Sequence, residues 1–193
     1  MAQPNLLEVD WSKIPAPSDD GAAAHLVGMM IPPLSLVATD DSSVTLSQLP
    51  GRTVVFAYPR TGEPGKISLV DDWDMIPGAR GCTPQACSFR DLHAELKAAG
   101  ARQVFGLSTQ SNAYQTEMAS RLHLPFPVLS DEKLKLTQAL NLPTMEVAGL
   151  TLIKRLALII DNARITHVFY PVFPPDRNAG DVLAWLKKNP AKQ

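Results

Sequence analysis

The chain has 193 residues, 45% hydrophobic and 19% charged, with a net charge of −1, which suits one domain with a full hydrophobic core. Its lysines and arginines are scattered rather than gathered into a basic stripe interleaved with aromatics, which argues against nucleic-acid binding. Residues 22–38, the most apolar region, are interrupted by His25, Pro32 and Pro33 and fall short of the roughly 20 residues that cross a bilayer. Met1 to Asp10 lack a basic start and an unbroken apolar stretch, so a soluble, cytoplasmic protein is expected.

Residues 1–25 are polar and rich in proline and read as an N-terminal arm, laid on the domain or partly disordered; residues 26–193 read as the domain itself. Leu34 to Ala38 and Val44 to Leu46 flank a polar turn and predict a hairpin. Thr53 to Tyr58, β-branched and aromatic, predicts a buried strand ending at Pro59. A long insertion, 60–77, follows, with Thr61 at its start and Trp73 near its end, placed either to cover a pocket or to anchor the loop.

One helix is predicted from near Pro84 to a stop at Gly100, with Ala86, Phe89, Leu92, His93 and Leu96 at helical spacing. Gln103 to Ser108 predicts a strand, and Ser108-Thr109-Gln110 a turn into a helix capped at Ser111 or Asn112 and ending near Leu122. A short strand is expected at 126–129, then a helix capped by Ser130 or Asp131 and running to Leu140. Leu156 to Ile160 and Arg164 to Phe169 predict a hairpin around Asp161-Asn162-Ala163, and Asp181 to Lys188 a closing amphipathic helix. Alternating strands and helices followed by a hairpin predict an α/β domain with a mixed sheet.

The chemistry of this pattern centres on Cys82 and Cys87, the only cysteines in the chain. Cys82 stands where a loop enters a helix, and the unpaired N–H groups and dipole of a helix start favour a thiolate. A thiolate attacking a hydroperoxide breaks the O–O bond and becomes a sulfenic acid, for which a second cysteine is a partner. Residues five apart on a helix have Cα atoms about 8–9 Å apart, whereas a disulfide needs at most about 7 Å. If the two cysteines form a disulfide, the first turns of the helix must unwind. Cys-x₄-Cys with no second Cys or His cluster does not make a zinc site, and no cofactor or metal is expected.

The run Gly81-Cys82-Thr83-Pro84-Gln85-Ala86-Cys87-Ser88-Phe89-Arg90-Asp91 resembles the active-site segment of peroxiredoxins of the bacterioferritin-comigratory, or Q-type, subfamily. The resemblance extends over about 28–188, through Leu49-Pro50-Gly51-Arg52, Tyr58-Pro59, Arg155 to Asp161, Ile165 to Phe169 and Trp185-Leu186-Lys187. It implies a thioredoxin-like fold with an N-terminal hairpin extension. It also implies a thiol-dependent peroxidase acting on hydrogen peroxide or alkyl hydroperoxides, monomeric or homodimeric and recycled by thioredoxin or glutaredoxin. On that pattern Cys82 is the peroxidatic and Cys87 the resolving cysteine, Arg155 matches the active-site arginine, and Pro59 the proline that shields the thiolate. One departure is clear. The family carries a threonine three residues before the peroxidatic cysteine, and here that position is Ala79. Either the insertion folds back to deliver Thr61, or the hydroxyl is absent and turnover is slow.

Read without the resemblance, Arg155 and Arg80 are solvated charges beside a strand and a loop, and Arg90-Asp91 is a surface ion pair. His25, His93, His123 and His167 are dispersed, which leaves a Cys–His hydrolase unsupported. Two rival readings remain. One is a dithiol–disulfide oxidoreductase, which lacks the usual Cys-x-x-Cys spacing and has Lys154-Arg155 where a proline is expected; the other is a redox-sensing module of the same fold.

Overall fold

A computed structural model describes residues 9–191; the first eight residues of the arm lie outside the described residues. A seven-stranded sheet organises the chain, in the order β2-β1-β5-β4-β3-β8-β9. At its centre β3 (Arg52–Ala57) pairs in parallel with β4 (Gln103–Ser108) and antiparallel with β8 (Leu156–Asp161). The predicted N-terminal hairpin is β1 (Ser35–Ala38) and β2 (Ser43–Thr45), and β1 docks antiparallel on β5 (Val128–Ser130). β9 (Arg164–Phe169) closes the other edge against β8. Asn162 and Ala163 both take positive φ there, as two-residue hairpin turns demand. The mixed sheet covered by helices is the thioredoxin-like arrangement that the resemblance implies.

Alternation along β3 divides the core. Val54, Phe56 and Tyr58 face helices α1 (Cys82–Asp91), α2 (His93–Ala98), α3 (Asn112–Arg121) and α5 (Asn178–Lys188). Val55 and Ala57 face Leu136 and Leu140 of α4 (Lys135–Leu140) together with Leu26, Ile31 and Leu36 from the N-terminal side. The first layer is tied by Phe56 stacked on Phe89 of α1, with ring centroids 4.2 Å apart.

Several boundaries differ from the sequence prediction. The single helix expected up to Gly100 breaks at Leu92, whose ψ of 9° leaves the helical range. β5 starts two residues late, after Pro127, which has no N–H for a ladder. Asp131 does cap α4, but by reaching forward: its carboxylate accepts the N–H groups of Leu136 and Thr137 at 3.1 and 2.7 Å. α5 begins at Asn178 rather than Asp181, continuing a 3₁₀ turn at Pro175–Arg177.

A second hairpin, β6 (Thr144–Val147) and β7 (Leu150–Ile153), was not foreseen, and it carries the insertion. Trp73 packs with Ala79 against Val147 and Leu152 of that hairpin and is buried. The described part of the arm also has contacts. Asp20 accepts from Lys154 at 2.6 Å and from the Tyr170 hydroxyl at 2.7 Å, and a His25 ring nitrogen sits 2.9 Å from the Leu140 carbonyl. Trp11 donates its indole N–H to Asp176 at 3.0 Å.

Candidate active site

The site begins with Gly81, the residue before α1. Its φ is +103°, and a Cβ there would lie 2.6 Å from the Trp11 ring and 2.7 Å from Pro175. Only glycine fits such a backbone angle under such a roof. The turn sends Cys82 into the first position of α1, where its sulfur is buried and receives Arg155 Nη2 at 3.2 Å. The Ala79 carbonyl, 3.6 Å away, accepts the thiol proton when one is present.

Arg155 stands just ahead of β8 and is buried, not the solvated charge its bare sequence context suggests. The same Nη2 reaches the carbonyls of Gly78, Ala79 and Arg80 at 3.2, 3.2 and 3.0 Å, gathering the loop that precedes Cys82. Nη1 donates to Gln85 Oε1 at 2.5 Å, and Gln85 Nε2 donates to Asn178 Oδ1 of α5 at 2.9 Å. Nη2 has two N–H groups for three carbonyls and the Cys82 sulfur, so these four acceptors share its protons. Gln85 and Asn178 were not singled out in the sequence. Gln85 stands three residues after Cys82, one helical turn on, and that spacing was the available signal.

A cavity of about 50 Å³ opens on Cys82, walled by Arg60, Thr61, Trp73, Arg80, Gly81 and Thr83 among others. Thr61 is 1% exposed and lies in this wall, so the insertion does fold back to the cysteine. Its N–H and hydroxyl both donate to Gln110 Oε1, at 3.0 and 3.1 Å. Gln110, which the sequence suggested was a turn residue, does not line the cavity but holds Thr61 in its wall. Pro59 is buried two residues before Thr61 and is not among the residues lining the cavity. Arg80, expected as a solvated charge, is largely buried and paired with Asp74 at 3.1 and 3.2 Å; Arg90 and Asp91 do form a surface pair, at 2.8 Å.

Cys87 lies in the apolar cluster beneath α1 and does not line the cavity. Burial pushes its thiol up from the ordinary value of 9.0, Arg90 and Arg121 pull it down, and Asp91 adds to the rise. Both cysteines are free thiols. Among the described residues, no three His, Cys, Asp or Glu side chains cluster to hold a metal, and no helix is long and apolar enough to cross a membrane.

With this geometry established, comparison with known proteins identifies the family. The redoxin family model matches residues 26–183. Peroxiredoxin Q of Sedum lineare is 32% identical over 83% of this chain and 77% of its own length. The chain belongs to the peroxiredoxin Q branch of the redoxin family. The peroxiredoxin Q of Oryza sativa subsp. japonica is also 32% identical, over 83% of this chain, and the aligned region spans 66% of that relative's length. Among solved structures, the peroxidoxin BcpB of Mycobacterium tuberculosis superposes with a TM-score of 0.67 at 25% identity, covering 84% of this chain and 97% of that one.

The plant peroxiredoxins Q are chloroplastic, and this overturns the cytoplasmic location expected from the N-terminus. The physical reason lies in what was sought there. A secretion signal carries an unbroken apolar stretch, whereas segments that direct proteins to plastids are amphipathic and rich in Ser and Arg, so lacking the first says nothing about the second.

Proposed function

We propose that the protein is a thiol peroxidase that reduces hydrogen peroxide or alkyl hydroperoxides at Cys82 and closes an intramolecular disulfide with Cys87. The observation that carries this reading is the 3.2 Å contact between Arg155 Nη2 and Cys82 Sγ at the wall of a small cavity shared with Thr61. About 50 Å³ has room for roughly one or two water-sized groups, the size of a peroxide head.

In the first step the Cys82 thiolate attacks the terminal oxygen of H–O–O–R. An S–O bond forms, the O–O bond breaks, and RO⁻ leaves and takes a proton from water, so that Cys82 becomes a sulfenic acid. Arg155 faces the charge on the reacting atoms with donors already in place. In the second step the Cys87 thiolate attacks the sulfenic sulfur, a disulfide forms and hydroxide leaves. A dithiol protein of the thioredoxin or glutaredoxin type then reduces the disulfide. Because both cysteines sit in α1, the second step needs the helix to open between them. Opening breaks the contacts of Gln85 with Arg155 and Asn178 and lifts Gly81 from under Trp11 and Pro175.

Mass spectrometry of the intact reduced protein after one equivalent of peroxide tests the scheme. Loss of two hydrogens is expected, and Cys82→Ser should abolish peroxide consumption in stopped-flow. Retention of the rate in that variant would remove Cys82 from the chemistry. Cys87→Ser should react once and then stall as sulfenic or over-oxidised protein.

A further inference from the structure

Thr61 reaches the cavity from the start of the insertion, and Gln110 holds it there. Gln110 comes from the loop between β4 and α3, is 4% exposed, and is pinned by its own backbone. Its N–H donates to Ser108 Oγ at 3.3 Å, and its carbonyl accepts the Ser130 hydroxyl at 2.7 Å. Its side-chain oxygen accepts the Thr61 N–H, and its Nε2 donates to the Thr61 carbonyl at 3.3 Å. These two backbone contacts leave the amide only one orientation. A backbone N–H can only donate, so the atom facing it is oxygen; a carbonyl can only accept, so the atom facing it is nitrogen.

That orientation sets the polarity of the hydroxyl. Gln110 Oε1 has no proton, so the Thr61 hydroxyl 3.1 Å away must be the donor. A hydroxyl has a single proton, and once that proton is committed to Gln110 only lone pairs of Thr61 Oγ1 remain for the cavity. We propose that Gln110 is a positioning residue for peroxide reduction, fixing Thr61 Oγ1 as a pure acceptor beside Cys82. The proposal rests on the thiol-peroxidase reading and assigns the two walls opposite polarity. Arg155 donates to the sulfur, and Thr61 accepts the O–H of the incoming hydroperoxide. The terminal oxygen is then held to receive the sulfur's electron pair. As the S–O bond forms and the O–O bond breaks, the hydrogen held by Thr61 stays on the sulfenic oxygen.

The test uses the full chain in a Cys87→Ser background, so that one sulfur reports. Rates of Cys82 modification are measured with hydrogen peroxide and with methyl methanethiosulfonate, an electrophile with no O–H or N–H to donate. Gln110→Leu should slow the peroxide reaction by roughly 10- to 100-fold, as for loss of one aligned polar contact to the reacting group. The thiosulfonate rate should stay within about twofold, because it needs no acceptor at Thr61. Thr61→Val should reproduce the selective loss, the double variant should fall no further, and Thr61→Ser should stay near the parent rate. If Gln110→Leu does not fold, the Thr61→Val and Thr61→Ser pair carries the test within an intact clamp. Equal slowing of both reagents, or a Thr61→Val variant with an unchanged peroxide rate, overturns the proposal. A parent sulfur inert to peroxide but open to the thiosulfonate overturns the peroxidase reading instead, and the proposal with it.

Discussion

Cys82 and Cys87 occupy one ten-residue helix in opposite surroundings. At Cys82 the sulfur meets a guanidinium at 3.2 Å, at the mouth of a cavity, under a glycine turn with no room for a side chain. At Cys87 the sulfur lies among apolar side chains away from that cavity, and burial holds its proton on. On the proposed scheme the first is preorganised for attack, whereas the second becomes useful only when the helix opens. The difference locates the conformational cost in the second step, and each of the following experiments acts on one cysteine more than on the other.

The largest effect is expected on the Cys82 side. Arg155→Met removes the donor fork from the sulfur and from three carbonyls of the preceding loop, and should lower the peroxide rate constant by roughly 10²- to 10³-fold in stopped-flow. Arg155→Lys keeps a charge but not the fork, so its rate should fall between the two. A near-parental rate for the Met variant would erase the asymmetry drawn here. Next in size is Gly81→Ala. It places a Cβ 2.6 and 2.7 Å from Trp11 and Pro175 on a backbone with φ of +103°, and should cost about 1–3 kcal/mol in urea unfolding.

A smaller effect is expected at Asn178, which touches neither cysteine. Asn178→Ala leaves the buried Gln85 amide without its acceptor, at a cost of about 1–3 kcal/mol. Because Gln85 stands between the cysteines, the loss falls on the closed form of the helix. Disulfide formation after peroxide should therefore be faster, and over-oxidation of Cys82 less, than in the parent. Slower disulfide formation would mean that Asn178 does not hold the helix closed.

The sequence predicted these two surroundings unequally. Local chemistry was legible: a glycine before Cys82, a proline in the first turn, and the period of α1 place the Cys82 sulfur at a helix mouth. β4 and β9 were predicted residue for residue for the same reason, as short, largely apolar runs bounded by turn residues. What long-range packing decides was not legible. Arg155 became a site residue only through resemblance, because Lys154-Arg155 before a strand looks like any polar step. Gln110 lies 49 residues from Thr61, and no local pattern joins them. The β6–β7 hairpin was missed although Met145-Glu146-Val147 and Leu150-Thr151-Leu152 alternate around the Ala148-Gly149 turn, and its role as a seat for Trp73 exists only in the assembled fold.

The subtlest contrast is in pH dependence. In reduced Cys82→Ser protein, alkylation of Cys87 should rise with a midpoint above the ordinary 9.0, and in urea the midpoint should return toward that value, since unfolding removes the burial that raises it. The sign for stability follows. The folded state keeps the Cys87 proton to higher pH than the unfolded state does, so between the two values the native protein binds more protons and stability falls as pH rises. This stabilising contribution is complete below about 9.0 and is lost as pH rises through the folded value. Urea unfolding of Cys82→Ser across that alkaline window should show the decline, and adding Cys87→Ala should flatten it. A Cys87 that alkylates with the same midpoint in native protein and in urea would show that it is already open to solvent, and the helix would then need no unwinding to expose it.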